Sequence, residues 1–220
     1  MSYLRQHSIG FAVSCLLAGV AAAQGVPQGG APVAVPHAIR TPDISSPPEP
    51  AAIVDVFVQG CVLTEGVTTA TVDWALSQGF NPQDPYAPEA QPLLAGKPGT
   101  ILAMGSSSSV LLAVGMDGSC TVWADRAAGP AVHFAFKQAM GQLAAKGAKV
   151  QSTLDRNVER AGAWRHQVQM RYRRVGGSQD FGVGAVTTLG EQAGAQALRL
   201  EPVSAVAGFD PDGLPARQSP

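Results

Sequence analysis

The stretch GMDGSCTVW constrains the fold most, because it is typical of a β-hairpin tip with a cysteine just past the turn. The pair Asp117-Gly118 between two apolar, β-rich runs is a strong short-range hairpin signal and predicts a two-residue turn. That register places Gly115 opposite Cys120, and residues opposite each other share one face of a sheet. Cys120 is therefore expected on the same face as Gly115 and Ala113, whose small side chains would leave room for a helix.

The N-terminus has the pattern of a secretory signal peptide over residues 1–23. Arg5 and His7 precede an apolar run over 9–20, and three alanines follow at 21–23. A charged start, a short apolar middle and small residues at the end are the signature of export with cleavage. The alternative is a membrane anchor, but the run is shorter than the ~20 residues that span a bilayer. We expect cleavage between Ala23 and Gln24, no transmembrane anchor afterwards, and a periplasmic or secreted mature protein.

Composition divides the rest of the chain into three parts. Residues 24–50 contain seven prolines and predict a disordered linker, and residues 204–220, rich in proline and glycine, predict a disordered tail. Residues 51–203 remain, and their number fits one domain. A chain of this size can bury a core without the help of a metal ion.

Cys61 and Cys120 are the two cysteines of the expected mature chain. Thiols pair in an oxidising compartment, so we expect one intramolecular disulfide between them. Two buried free thiols, or one thiol with an intermolecular or catalytic role, are the alternatives. A redox enzyme would more naturally contain a Cys-x-x-Cys pair, and the sequence has none. The bridge should staple a helix over 51–63 to the hairpin.

The hydrophobic pattern predicts an α+β fold. It indicates two short N-terminal helices over 51–63 and 67–79, then a long proline-rich loop over 81–99. A longer helix should begin near Pro130 and end near Gly147. Strand-like runs cluster apart from the helices, which favours an antiparallel sheet of about five to seven strands with these helices packed on it. The runs are TILAMG, SVLLAVG, SCTVWAD, KVQSTLDRNVERAG, WRHQVQMRYRRV, FGVGAVTTL and QALRLEPV.

The order of local motifs carries a resemblance. A helix with FVQGC, a second segment ending in SQGF, a proline-rich loop, a hairpin with GSCTVW and a following helix occur in that order over about residues 50–145. This arrangement resembles a loose group of small, uncharacterised exported two-cysteine proteins of Gram-negative bacteria. The resemblance implies an exported protein with a disulfide and implies no particular activity.

Basic residues concentrate in the second half of the predicted domain. Residues 146–174 contain eight basic and two acidic residues, although the net charge of the whole chain is −1. In the run RHQVQMRYRR, alternation places arginines on the outer face of a half-buried strand. We predict an anion- or partner-binding face formed by Arg165, Arg171, Arg173 and Arg174. Guanidinium groups suit carboxylate and phosphate, but the same residues also suit solubility, edge protection or pairing with acidic helices.

The sequence contains few candidates for catalysis. It has neither His-x-x-x-His nor a nucleophile elbow, and we predict no metal site, no cofactor and no catalytic residue. The main hypothesis is an exported, non-enzymatic envelope module that contacts an envelope protein or an anionic envelope polymer, and not nucleic acid. The alternative is a small periplasmic hydrolase in which Asp73 or Asp125 meets Tyr86 near the proline-rich loop.

Overall fold

The computed structural model of the chain describes residues 47–88, 90–105, 109–160 and 162–203. The expected signal peptide, nearly all of the expected linker and the expected tail lie outside the described residues. The helices are α1 (Pro50–Phe57), a π-helical segment (Val58–Val62), α2 (Thr68–Ser77), α3 (Gln91–Leu94) and α4 (Gly129–Ala145). The strands are β1 (Phe80–Gln83), β2 (Gly99–Met104), β3 (Val110–Gly115), β4 (Cys120–Ala128), β5 (Lys149–Arg160), β6 (Ala163–Arg173), β7 (Phe181–Thr188) and β8 (Ala193–Pro202).

The eight described strands form one antiparallel sheet in the order β1-β2-β3-β4-β8-β7-β6-β5. A first meander runs from β1 to β4. The helix α4 then carries the chain to the far edge, and a second meander returns from β5 to β8 beside β4. The predicted α+β class with an antiparallel sheet is confirmed.

The predicted number of strands and the arrangement of helices are wrong. The region expected to be one long loop contains β1 at the edge of the sheet and the short helix α3. Pro82 is tolerated in β1 because an edge strand leaves half of its N–H groups unpaired. Pro92 suits the first turn of α3, where no N–H is needed.

The core lies in two layers, one on each face of the sheet. On one face α1, the π-helical segment and α4 cover the sheet, and the Phe57 and Phe136 rings lie 6.1 Å apart between centroids. The stripe of α4 is formed at four-residue spacing, since Val132, Phe136 and Met140 are buried. On the other face a smaller cluster forms where Leu94 of α3 packs over β2 and β3. The helices are therefore divided between the two faces, rather than packed on one.

The predicted register of the β3–β4 hairpin is wrong by one residue. Cys120 lies opposite Val114, not Gly115, and Gly115 N–H donates to Ser119 C=O at 2.8 Å across a three-residue loop. Gly118 adopts φ +82°, a left-handed conformation that glycine takes without strain. This combination of a type I turn and a left-handed glycine is the usual three-residue hairpin loop.

Asp117 stabilises this loop. Its carboxylate accepts hydrogen bonds from Ser119 N–H at 3.1 Å and Ser119 Oγ at 2.6 Å, and it pairs with Lys97 at 2.6 Å. Burial opposes ionisation of Asp117, but the bonds from Lys97 and Ser119 outweigh it and lower the pKa to about 2. Asp117 therefore forms part of the turn, as expected, and its ionised carboxylate also binds Lys97.

The predicted Cys61–Cys120 disulfide is confirmed. It joins the π-helical segment to β4, with the two Cα atoms 5.5 Å apart and both side chains fully buried. Gly60, next to Cys61, allows α2 to lie close to the π-helical segment, since an added Cβ would lie 2.6 Å from Trp74 Cζ3. The Gly60 carbonyl accepts hydrogen bonds from Thr64 Oγ1 at 2.6 Å and from Thr71 Oγ1 at 2.9 Å. Gly115 and Ala113 do not make room for the helix as expected, because the observed register places them on the opposite face of the sheet from Cys120.

In the described part of the chain, no helix combines the length and the apolar character that a membrane crossing requires.

Candidate functional site

Three of the four predicted arginines lie on the face of β6 that points away from α4. Val168 and Tyr172 of this strand are buried in the main core, so Arg165, Arg171 and Arg173, at the alternate positions, face the other way. The predicted alternation of β6 is therefore present.

Arg171 and Arg173 lie at one cavity of about 580 Å³ at the β5–β6 edge of the sheet. Lys149 faces Arg173 across the two strands and supplies a third cation to the cavity. Asp180, from the segment before β7, supplies the one carboxylate of the lining. The lining consists of Ala144, Ala148, Lys149, Val150, Gln151, Arg171, Tyr172, Arg173 and Asp180. Three cations and one anion give this arginine cavity a formal charge of +2.

Asp180 holds the two guanidinium groups in place. Arg171 Nη2 lies 2.6 Å from Asp180 Oδ2, and Arg173 Nε donates to Asp180 Oδ1. The hydrogen bond from Arg173, assisted by the one from Arg171, lowers the pKa of Asp180, and the same bond raises the pKa of Arg173. Asp180 is only 12% exposed, whereas Arg171 is 54% exposed. Arg171 therefore presents free N–H groups to solvent while its head group is held by Asp180. Lys149 makes no ion pair within the described ranges.

The other two predicted arginines do not reach this cavity. Arg165 lies six residues from Arg171 along β6, roughly 20 Å at strand spacing, and its Nη1 donates to Ala195 C=O at 3.3 Å. Arg174 follows the end of β6 and pairs with Glu65 at 3.1 Å, in the turn before α2. Of the four arginines of the predicted face, Arg171 and Arg173 therefore lie together at the cavity, and Arg165 and Arg174 have separate partners.

Two glutamines interrupt the cationic face between Arg165 and Arg171. Gln167 and Gln169 are 2% and 5% exposed, although they lie on the side of β6 that was expected to be solvated. The side chain of Gln169 packs over Gly184 of β7, which has no side chain of its own to occupy that space. The middle of the face is thus formed by packed amides rather than by charges.

The residues of the hydrolase alternative are not brought together. Tyr86 is 83% exposed and lines a cavity of about 380 Å³ beside the short helix α3. Neither Asp73 nor Asp125 is among the residues that line it. Asp73 is exposed on α2, and Asp125 Oδ1 lies 3.5 Å from Nε of the neighbouring Arg126 within β4.

A second polar cluster lies on the helix side of the sheet. The rings of His133 on α4 and His166 on β6 approach to 4.1 Å between centroids. Asp155 of β5 accepts from Lys137 and hydrogen-bonds to His166. Taken one at a time, each histidine is expected to be an ordinary packed or solvated residue. Only the two positions taken together indicate that the histidines can meet. His133 borders the apolar stripe of α4, and His166 lies on the face of β6 that points towards this helix.

Comparison with protein-family models and with curated proteins finds no match to this sequence. Within the described residues, no group of three or more His, Cys, Asp or Glu side chains is arranged to hold a metal ion. The arginine cavity is a described site in which several residues of one chemical character converge.

Proposed function

We propose that this chain is an exported, non-enzymatic binding module of the cell envelope. It binds phosphate or carboxylate groups of an anionic envelope polymer in the arginine cavity. The observation that carries this proposal is the convergence of Lys149, Arg171 and Arg173 with a single carboxylate, Asp180, around a cavity of about 580 Å³.

The geometry suits an acidic group for two reasons. The volume lies within the range of ~300–1,000 Å³ that is usual for ligand sites. Guanidinium groups bind carboxylate and phosphate through paired N–H donors, and a group that is already oriented loses less freedom on binding. Asp180 supplies that orientation to Arg171 and Arg173.

Lys149 and the exposed part of Arg171 would make the new contacts. Lys149 is exposed on the edge strand β5, and Arg171 keeps N–H groups that Asp180 does not occupy. Because β5 is an edge strand of the sheet and lines the cavity, a polymer can lie across β5 and insert one acidic group at a time. The positive charge that remains attracts the polymer and makes its binding sensitive to salt.

Export is supported by two independent features of the chain. The first 23 residues have the three-part pattern of a signal peptide. The buried Cys61–Cys120 disulfide is a bond that persists in oxidising compartments. N-terminal sequencing of the protein recovered from an envelope fraction tests this part of the proposal. The expected first residue is Gln24, and an intact Met1 in that fraction would contradict it.

Calorimetric titration with polygalacturonate and with polyphosphate tests the binding site, since one polymer carries carboxylates and the other phosphates. The double variant K149Q/R171Q removes two cations and leaves the Arg173–Asp180 pair intact. Because a hydrogen bond to a charged group contributes about 1.5–3 kcal/mol, we expect at least a tenfold loss of affinity.

The matched control is R165Q, which changes the same residue type on the same face of β6 but outside the cavity. Its affinity should stay within about twofold of the wild type, because screening weakens a charge roughly 20 Å away. An equal loss in R165Q and in the double variant would contradict the proposal. Failure of the wild type to bind either polymer would also contradict it.

A further inference from the structure

His133, His166 and Asp155 connect the N-terminal half of α4 to the β5–β6 hairpin. The two imidazole rings are tilted at 58° with centroids 4.1 Å apart. His166 Nε2 and Asp155 Oδ1 are separated by 2.7 Å, and Lys137 Nζ reaches the other oxygen of Asp155 at 3.0 Å. The carboxylate of Asp155 on β5 thus contacts both Lys137 of α4 and His166 of β6, while the two histidine rings face each other directly.

The cluster has no place for a second proton. His133 Nδ1 is buried and has no hydrogen-bond partner among the described residues. A protonated imidazole is a donor at both nitrogens, so protonation would leave a buried N–H group without an acceptor. Thr187 lies opposite His166 on β7 and is fully buried. Its Oγ1 forms no hydrogen bond with His133 Nδ1, and both atoms lack a partner among the described residues.

We propose that His133, His166 and Asp155 form an acid-sensitive clamp that holds α4 on the β5–β6 hairpin near neutral pH and releases it when His133 gains a proton. The charged groups that face His133 are Lys137 on α4 itself, His166 on β6 and Asp155 on β5. The strand β7 presents the uncharged Thr187 opposite His166.

The direction of the effect follows from these neighbours. Burial lowers the pKa of His133. The neighbouring His166 and Lys137 lower this pKa further, whereas Asp155 raises it. A histidine whose pKa is lower in the folded state than in the unfolded chain binds its proton more readily after unfolding. Stability is therefore complete above the unfolded pKa of about 6.5 and is lost as the pH falls below it.

Two charge-neutralising variants distinguish a proton-linked clamp from mere packing. Asp155 favours the protonated form of His133 and Lys137 opposes it. D155N should therefore move the titration of His133 to lower pH, and K137Q should move it to higher pH. Both side chains are more than one-third exposed, so both variants should fold.

The measurement is an NMR titration of the imidazole C–H signals in the full mature chain, in the wild type and in both variants. We expect His133 to titrate below pH 6.5 in the wild type and to move in opposite directions in D155N and K137Q. Titration of wild-type His133 at or above 6.5 would overturn the clamp, and so would shifts of the same sign in the two variants.

Urea unfolding at pH 7.5 and pH 5.0 provides the second test. Between pH 7.5 and pH 5.0, the urea concentration at the unfolding midpoint should fall further in the wild type than in H133F, whose ring cannot take a proton. An equal loss in both proteins would overturn the clamp. Hydrogen exchange at pH 5.0 should be faster in the first turns of α4 in the wild type than in H133F, and unchanged exchange there would also overturn it.

Discussion

Replacing both Cys61 and Cys120 with alanine removes the covalent link between the π-helical segment and β4. The two cysteines are 59 residues apart in the sequence, and their side chains are fully buried. In the chain-entropy treatment, opening a loop of about 60 residues costs roughly 4 kcal/mol of folding free energy at 25 °C. The double variant C61A/C120A should therefore be less stable by about that amount.

The size of the domain converts this loss into a melting temperature. For a domain of roughly 150 residues, each kcal/mol shifts the midpoint by about 2–4 °C, so the variant should melt about 8–16 °C lower than the oxidised wild type. The assay is thermal and urea unfolding followed by circular dichroism. Both proteins should be measured at the same concentration and pH, with unfolding shown to be reversible.

Reduced wild-type protein is the control for this prediction, because it keeps both sulfur atoms in the core and lacks only the cross-link. Its stability should fall by a similar amount, and the remaining difference from C61A/C120A reports the packing of the two sulfur atoms. A loss below about 1 kcal/mol in both proteins would contradict this prediction, since the disulfide would then not restrict the unfolded chain.

Four further substitutions test local parts of the structure. G60A should lower the free energy of unfolding by about 1–3 kcal/mol, because its methyl group would overlap the Trp74 ring. Gly141 lies in α4, and a Cβ added there would have no neighbouring atom within 4 Å, so G141A should raise the free energy of unfolding by about 1 kcal/mol. Urea unfolding measures both, and equal effects would contradict the packing at Gly60. The low pKa of Asp117 means that wild-type stability falls as the pH drops from about 4 towards 2, and this part of the fall should be absent in D117N. D180N should lower the affinity of the arginine cavity for inorganic phosphate in calorimetry, because Arg171 and Arg173 lose the carboxylate that orients them, and unchanged or tighter binding would contradict that role.

The strongly periodic segments could be predicted from the sequence. The stripe of α4 and the alternation of β6 follow directly from helix and strand periods, and both are present. The burial of Gln169 could not be predicted, because its side chain packs over Gly184 in a strand that pairs with β6 only in the folded chain.

The register of the β3–β4 hairpin shows the limit of turn signals. An Asp-Gly pair suits a two-residue turn, but it also suits a three-residue loop with Gly118 in the left-handed conformation. Hydrogen bonds from Ser119 to Asp117 favour the second arrangement. A difference of one residue changes which side chains share a face, so Cys120 lies beside Val114 instead of Gly115.

The candidate site could be predicted only in part, for a related reason. Alternation placed Arg171 and Arg173 on the open face of β6, but it could not reveal that Asp180, beyond the following turn, would bind both. It also could not reveal that Arg174 would pair with Glu65 more than 100 residues earlier in the chain. The meeting of His133 and His166 depends in the same way on how α4 packs against β6.

The most direct test of the arginine cavity is an NMR titration of the ¹⁵N-labelled mature protein with inorganic phosphate, in which the arginine Nε–H signals are observed. We expect the signals of Arg171 and Arg173 and the backbone amide of Lys149 to shift together with one affinity. The Arg165 signal should stay in place, and added salt should weaken the binding. Equal shifts at Arg165 and Arg171, or no shift at the cavity, would contradict anion binding in the arginine cavity.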